Sequence, residues 1–368
     1  LASFFCMGIL DCVSSGRRRR KIWRQNVNNT CAASISNRFA VSGCIITTIN
    51  KSHRILLAIE IITDRLMTDN HCKPLLSPLR YPGSKRRLSK YIQDALELNK
   101  LHPTLYVEPF AGGASVALHM LQLPSVEQVI LMDLDPWITS FWKTLFSDTD
   151  WLIEQVQTIE VTVERWQQFK HSHPVTEKEQ ALAGFFLNRT SFSGILEAKA
   201  GPIGGQQQKS SYKIDCRFPR ETLIRRIQQI AAYKDKIYGI WNCSWEAGIA
   251  RLREEQQTRL LPHDGLFFYF DPPFFEKAET LYRYYFAEKD HLALRDFLLT
   301  LEDKWILSYD FAQQVEALYG EAIKKRTNGA RQHHLELSYT LGIMSKGQKQ
   351  GREVIISNLA NLPDFAKI

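Results

Sequence analysis

From residue 77 onward, short apolar runs alternate with stretches in which apolar residues recur every three or four positions. The runs "LYVEPF" (105–110), "EQVILMDLD" (127–135), "KIYGIWN" (236–242), "LFFYF" (266–270) and "KWILSYD" (304–310) read as strands. "ASVALHMLQL", "PWITSFWKTLF" and "FAQQVEALYG" read as helices, with Pro136 well placed in a first turn. Strands separated by helices predict an α/β domain built on a mostly parallel sheet. Near the end, "LELSYTL" and "REVIISNL" flank a Lys- and Gly-rich link at 345–351 and read as an antiparallel hairpin. At the other end, "LRYPGSKRRLSKYI" (79–92) reads as a turn entering a helix.

Between 151 and 235 the alternation stops. The sequence is first helical, then polar and Gly-rich through "SGILEAKAGPIGGQQQKSSYKIDCRF". So long a stretch without strands predicts an inserted, mainly helical lobe at 151–235, splitting a main domain into 77–150 and 236–362. Within 199–226 lie Lys199, Lys209, Lys213, Arg217, Arg220, Arg225 and Arg226 against only Asp215 and Glu221, beside Tyr212 and Phe218. For any one of these residues a solvated face is the simpler reading. Their density fits a surface that tracks phosphates.

The chain has 368 residues, 44% of them hydrophobic, enough for a sizeable core and about two domains. Its formal charge of +8 is concentrated at one end. Residues 1–66 hold ten Lys and Arg against three carboxylates, leaving 37 basic against 36 acidic residues beyond them. Four of the seven cysteines also fall in that segment, and Cys72, Cys216 and Cys243 are too scattered for a disulfide framework or a zinc site. A reducing cytosol is the expected setting. No apolar run approaches the roughly 20 residues of a membrane span. The first 66 residues lack a coherent period, so Met67 is the expected start and residues 1–76 a poorly ordered or non-native extension. The alternative is a basic targeting or DNA-binding arm, carried by "GRRRRKIWR".

Candidate chemistry begins where the apolar run 266–270 stops on Asp271, Pro272, Pro273 and Phe274. Two prolines end a central strand and fix the direction of the carbonyls around them. Asp271 therefore belongs at the carboxyl edge of the sheet, where open α/β folds bind ligands; a tight turn with Asp271 capping a helix is the plain alternative. "EPFAGGAS" places Gly112 and Gly113 between a strand and a helix, permitting close backbone approach. Asp133 stands at the tip of the next strand, at the spacing that puts a carboxylate on a ribose hydroxyl pair. Packing glycines and a helix-capping Asp133 would explain the same residues. The loop lacks the G-x-G-x-x-G pattern that suits a pyrophosphate, so a nucleoside without phosphates fits better, S-adenosylmethionine first among them. Tyr81, Gly83 and Lys85 bring a ring and a cation into the first turn.

In order, "YPGSK", "VEPFAGGAS", "LMDLDPW", "FLNRTSFSG", "FFYFDPPF", "WILSYD" and "EVIISN" resemble the DNA adenine methylases of the Dam family, the alpha group of amino-methyltransferases. The resemblance runs from about 77 to 360 and implies a Rossmann-like methyltransferase sheet with an inserted target-recognition domain. It implies that Tyr81, Lys85, Glu108, Gly112, Asp133 and Asp271 form the S-adenosylmethionine site, and that Asp271, Pro272, Pro273 and Phe274 are catalytic, Phe standing where Tyr is usual. Asn188, Arg189, Lys199, Lys213 and Arg217 are the expected DNA contacts. The implied chemistry needs no metal: Asp271 and the Pro272 carbonyl take the two hydrogens of an adenine amino group and aim its lone pair at a sulfonium methyl. Phe274 stacks on the base, and such stacking is worth about 1–3 kcal/mol, against the few kcal/mol that flipping costs.

The resemblance further implies double-stranded DNA as partner, a monomer, and a cytoplasmic, nucleoid-associated enzyme of bacterial or phage origin. A cognate restriction endonuclease would act alongside it without a stable complex. Methylases of cytosine N4, RNA or protein glutamine share the Pro-Pro-aromatic core, though Asp271 speaks against the cytosine and protein groups. A non-catalytic DNA-binding regulator keeping the fold is the reading from another class.

Overall fold

Period-two patterning decides which face each strand residue takes, and β4, Leu266–Phe270, shows it most plainly. Leu266, Phe268 and Phe270 join one apolar cluster, Phe267 and Tyr269 another. All five side chains are buried, as expected of a central strand covered on both faces. The computed structural model describes residues 73–364, apart from 82, 198, 259, 262, 263, 276, 277, 311, 312, 325–330 and 340–348; at 310, 324, 331–339 and 349–352 the backbone alone is described. These residues belong to the unit Lys73–Ile368. The proposed Met67 start, the basic arm and the Lys- and Gly-rich link up to 348 lie outside the described residues.

The chain opens with helix α1, Leu88–Leu98, then β1, Leu105–Glu108, α2, Ser115–Met120, β2, Gln128–Asp133, and α3, Pro136–Ser147. Asp135 caps α3 by accepting from Trp137 N, and Pro136 fills the first turn. Four further helices follow: α4, Thr149–Thr158, α5, Val163–Lys170, α6, Glu177–Thr190, and α7, Arg220–Ala231. A reciprocal capping box of Thr176 and Glu179 starts α6. The sheet resumes with β3, Ile237–Asn242, followed by α8, Trp245–Gln257, β4, α9, Ala278–Leu281, α10, Glu288–Thr300, β5, Lys304–Asp310, α11, Gln313–Lys324, β6, Arg331–Tyr339, and β7, Lys349–Ser357.

The seven strands are ordered β3-β2-β1-β4-β5-β7-β6. The first five run parallel, and β7 enters antiparallel between β5 and β6. The expected α/β, Rossmann-like, mostly parallel sheet with a C-terminal antiparallel pair is therefore the observed one. Helices α8, α10 and α11 cover the face of Phe268, Trp305 and Leu307. The opposite face, with Tyr106, Phe267 and Tyr269, packs against α1, α2 and α3. Apolar residues of the helical insertion, among them Leu152, Trp166, Phe185, Phe186 and Leu223, extend that same cluster. Each such large buried side chain contributes about 1.5–3 kcal/mol, so the insertion is anchored to the sheet through a common core. No helix among the described residues is long and apolar enough to cross a membrane.

Strand order reverses direction between β1 and β4. Loops leaving these two neighbours diverge at the carboxyl edge and open a crevice, the general ligand position in such sheets.

Candidate functional site

The crevice is a cavity of about 250 Å³. It gathers Tyr81, Gly83 and Lys85 from the segment before α1, Glu108 and Gly112 from the end of β1, Asp133 from the end of β2, and Asp271, Pro272, Pro273 and Phe274 from the end of β4. Residues drawn from four separate stretches of sequence thus meet in one place. The strand stops at Asp271 because the two prolines cannot continue the ladder. Its carboxylate is left at the rim, 23% exposed.

A hydrogen bond and an ion pair support that carboxylate among the described residues. Ser308 Oγ, on β5, donates to Asp271 Oδ1 at 3.0 Å, and the Tyr269 hydroxyl lies 2.7 Å from Ser308 Oγ. Burial, reinforced by the charge of Asp271, keeps the Tyr269 phenol protonated well above its ordinary range. The second support is Lys85, whose Nζ lies 3.6 Å from Asp271 Oδ1 and donates to both carboxylate oxygens of Glu353 at 2.9 Å. Both Lys85 and Glu353 are buried. Lys85 Nζ also sits 5.4 Å from the centre of the Phe274 ring. The lysine expected to touch a cofactor is therefore engaged with two acids and the ring of the Asp-Pro-Pro-Phe corner.

The opposite wall is built on main-chain donors. Gly112 N donates to Asp133 Oδ2 and Asp135 N to Asp133 Oδ1, both at 2.8 Å. Gly112 has φ +45, and a Cβ there would lie 2.7 Å from the Tyr81 ring, so only glycine lets the ring lie flat on this loop. Trp142, buried in α3, pins the loop by donating to Gly112 O at 2.9 Å. Burial, with the neighbouring Asp135 second, pushes the Asp133 carboxyl up to about 7 in spite of its main-chain donors. Asp135 is itself raised by burial and partly restored by Arg283, which bonds it at 2.8 Å and stacks 3.9 Å above Trp137. Glu108 is buried, accepts from the Tyr106 hydroxyl at 3.3 Å, and is held well above the usual carboxyl range by burial and by the charge of Asp271.

Aromatic rings close the crevice. Tyr81 stacks on Tyr282 at 5.6 Å between centroids, and Tyr282 meets Phe274 at 5.9 Å. Gly83, with φ +77, is where Phe274 lies closest: a Cβ would come within 2.5 Å of Phe274 Cζ. Flat rings beside a carboxylate suit a planar heterocycle bearing an amino group. The residues also fit a cationic nucleoside: Asp133 calls for hydroxyl donors, and the Asp271 carboxylate at the rim favours positive charge.

The expected DNA contacts divide. Lys199, Lys213 and Arg217 are exposed. Asn188 and Arg189 are buried in the last turn of α6. Asn188 Oδ1 accepts from Arg80 N at 2.6 Å while Nδ2 donates to Arg80 O at 2.7 Å and Gly194 O at 2.9 Å. Arg189 donates to Pro78 O at 3.3 Å. The structure gives both a scaffolding task, where the sequence suggested contact with DNA: an amide and a guanidinium at a helix end are here consumed by neighbouring main chain. Ser308, Tyr269, Glu353, Asp135, Arg283 and Tyr282 were not singled out from sequence. Glu353 alone left a trace there, as a lone acid opening the otherwise apolar "EVIIS" strand.

Two curated proteins resemble the chain at low identity. Type II methyltransferase M1.LlaDCHI of Lactococcus lactis subsp. cremoris is 22% identical over 302 residues, 77% of this chain and 95% of that protein. Type II methyltransferase M.MjaIII of Methanocaldococcus jannaschii is 26% identical over 133 residues, 32% of this chain, which there spans about half of its relative's length, 46%. A crevice that unites the Asp-Pro-Pro-Phe corner with the glycine loop, and a family model matched from residue 81 to 335, agree in placing this chain among the D12 class N6 adenine-specific DNA methyltransferases.

Proposed function

We propose that the protein is a site-specific methyltransferase that carries a methyl group from S-adenosylmethionine to the exocyclic amino group of an adenine flipped out of duplex DNA. The observation that carries this reading is the single crevice joining Asp271–Phe274 to Gly112 and Asp133. S-adenosylmethionine, held by Asp133, the Gly112 loop and Tyr81, would supply a methyl already activated as a sulfonium. Asp271 and the Pro272 carbonyl accept the two amino hydrogens and hold the nitrogen with its lone pair directed into the crevice. Ser308 and Lys85 keep the carboxylate from turning away. Phe274 and Tyr282 offer faces to the extruded ring. Lys199, Lys213 and Arg217 face solvent on the 151–235 insertion, which on this reading carries target recognition. The protein would act as a monomer in a bacterial or phage-infected cytoplasm, with a cognate endonuclease as functional partner. Digesting treated DNA to nucleosides tests the reaction: N6-methyladenine is the expected product, and methylcytosine in its place overturns the assignment.

Asp133 gives a pH prediction. Its folded value of about 7 lies above the ordinary aspartate value of 3.8, so between the two the folded protein holds an extra proton. Ligand-free stability therefore falls as pH rises through that window. Ribose hydroxyls bind the ionised form, so cofactor binding releases this proton and tightens with pH up to about 7, approaching about tenfold per unit below it. Calorimetric titration of S-adenosylmethionine between pH 5.5 and 8 should show the slope, and Asp133→Asn should flatten it. A flat profile in the parent protein would remove Asp133 from the cofactor site.

A further inference from the structure

Two arginines from distant parts of the chain converge on the short segment that leads into the crevice, and a third belongs to it. Arg226, on α7, donates to Ser77 O at 3.1 Å, and Arg189, on α6, donates to Pro78 O at 3.3 Å. Arg80, clamped at both main-chain groups by Asn188, donates to Ser191 O at 3.3 Å. Every acceptor is a neutral carbonyl. Arg217 lies close enough to repel both Arg80 and Arg189, and Arg225 and Arg86 act the same way on Arg226. Among the described residues, none of these six arginines has a carboxylate within 4.0 Å, whereas Arg251, Arg253, Arg283 and Arg295 each have one.

Arg189 makes the imbalance acute. It is 6% exposed, its Nε has no hydrogen-bond partner, and burial followed by the charges of Arg80, Arg226 and Arg217 lowers it to about 9. Buried positive charge without a counter-charge is costly, and a fold that gathers six guanidinium groups leaves a field that an anion must complete. Arginine forks match phosphate oxygens two at a time. The location sets the kind of anion. Arg80 and Arg86 bracket Tyr81, Gly83 and Lys85, which line the crevice, so the charged face adjoins the place where a base would enter.

We propose that Arg80, Arg86, Arg217, Arg225 and Arg226, backed by the buried Arg189, form a phosphodiester-binding face that seats a DNA duplex beside the mouth of the crevice. The inference rests on the methyltransferase reading for its choice of DNA over other polyanions. Arg86, Arg217 and Arg225 are exposed, so their substitution should spare the fold. Binding of a fluorescent duplex is measured at a series of salt concentrations for the parent, the triple variant R86Q/R217Q/R225Q, and R226Q. Each lost phosphate contact lowers the slope of log K against log salt by about 0.9. The triple variant is expected to lose roughly 2–3 units of slope, with cofactor affinity and melting temperature near the parent values, and R226Q about 1 unit of slope. Arginine-to-lysine replacements at the same three exposed positions should restore most of the slope. Unchanged slopes overturn the face, whether or not methyladenine is formed; tighter binding of an RNA duplex of equal length overturns the choice of DNA. The nucleoside digest reports on the enzymatic reading separately, so the two can fail independently.

Discussion

Replacing Asp271 with Asn is expected to reduce methyl transfer by roughly 10²–10³-fold or more, the range seen when one group stabilising a transition state is removed. The substitution keeps the size of the side chain and removes its charge. Asn can still receive the hydrogen bond of Ser308 Oγ, at 3.0 Å from Oδ1 in the parent, and Lys85 still has Glu353. The crevice should therefore keep its shape. What would be lost, on the proposed reading, is an anionic acceptor for one amino hydrogen of adenine. Because that interaction strengthens as the nitrogen becomes electron-poor in the transition state, the loss falls on the rate at saturating substrate, with DNA affinity changed less than about threefold. Single-turnover transfer of labelled methyl, set beside binding of the same duplex, separates the two. Near-parental transfer by the variant would take Asp271 out of the reaction.

Much of this site could be read along the chain because its parts are local. A strand cannot run through Pro272 and Pro273, so the position of Asp271 at the sheet edge follows from covalent structure. Gly112 and Asp133 each sit at the end of an apolar run, and the parallel order of β1 and β2 brings the two ends together. Contacts that depend on register were not legible. Glu353 reaches Lys85 across 268 positions because β7 turns back between β5 and β6, and nothing near residue 353 announces that insertion. Ser308 was visible only as part of a strand; that it faces Asp271 is set by the pairing of β4 with β5. The resemblance placed Asn188 and Arg189 among the DNA contacts, yet this helix end is sunk against residues 78–80. The arginine face likewise needed the fold, since Arg226 and Ser77 are 149 positions apart.

Lys85→Met is the second substitution with a large expected effect, and its consequences run through stability as well as activity. Lys85 is one of three charges that meet below the rim, with Asp271 and Glu353, and its side chain is only 2% exposed. Deleting the cation takes a counter-charge from both Asp271 and Glu353, the latter 3% exposed at its side chain. Breaking a buried pair in this way costs about 3–5 kcal/mol, because the remaining ion cannot be rehydrated. In a chain of this size each kcal/mol lowers the melting temperature by about 1–2 °C, so a drop well beyond calorimetric error is still expected. A second replacement tells structure from catalysis. Lys85→Met combined with Glu353→Met removes both charges and fills the space with apolar atoms, which should return most of the lost stability. It cannot return the cation beside Asp271 Oδ1 or the one lying against the Phe274 ring, so methyl transfer should stay depressed by at least about tenfold in a protein that melts near the parent temperature. If the double variant regained both stability and activity, Lys85 would be a fold element alone, and the alignment of Asp271 would rest on Ser308 and Tyr269.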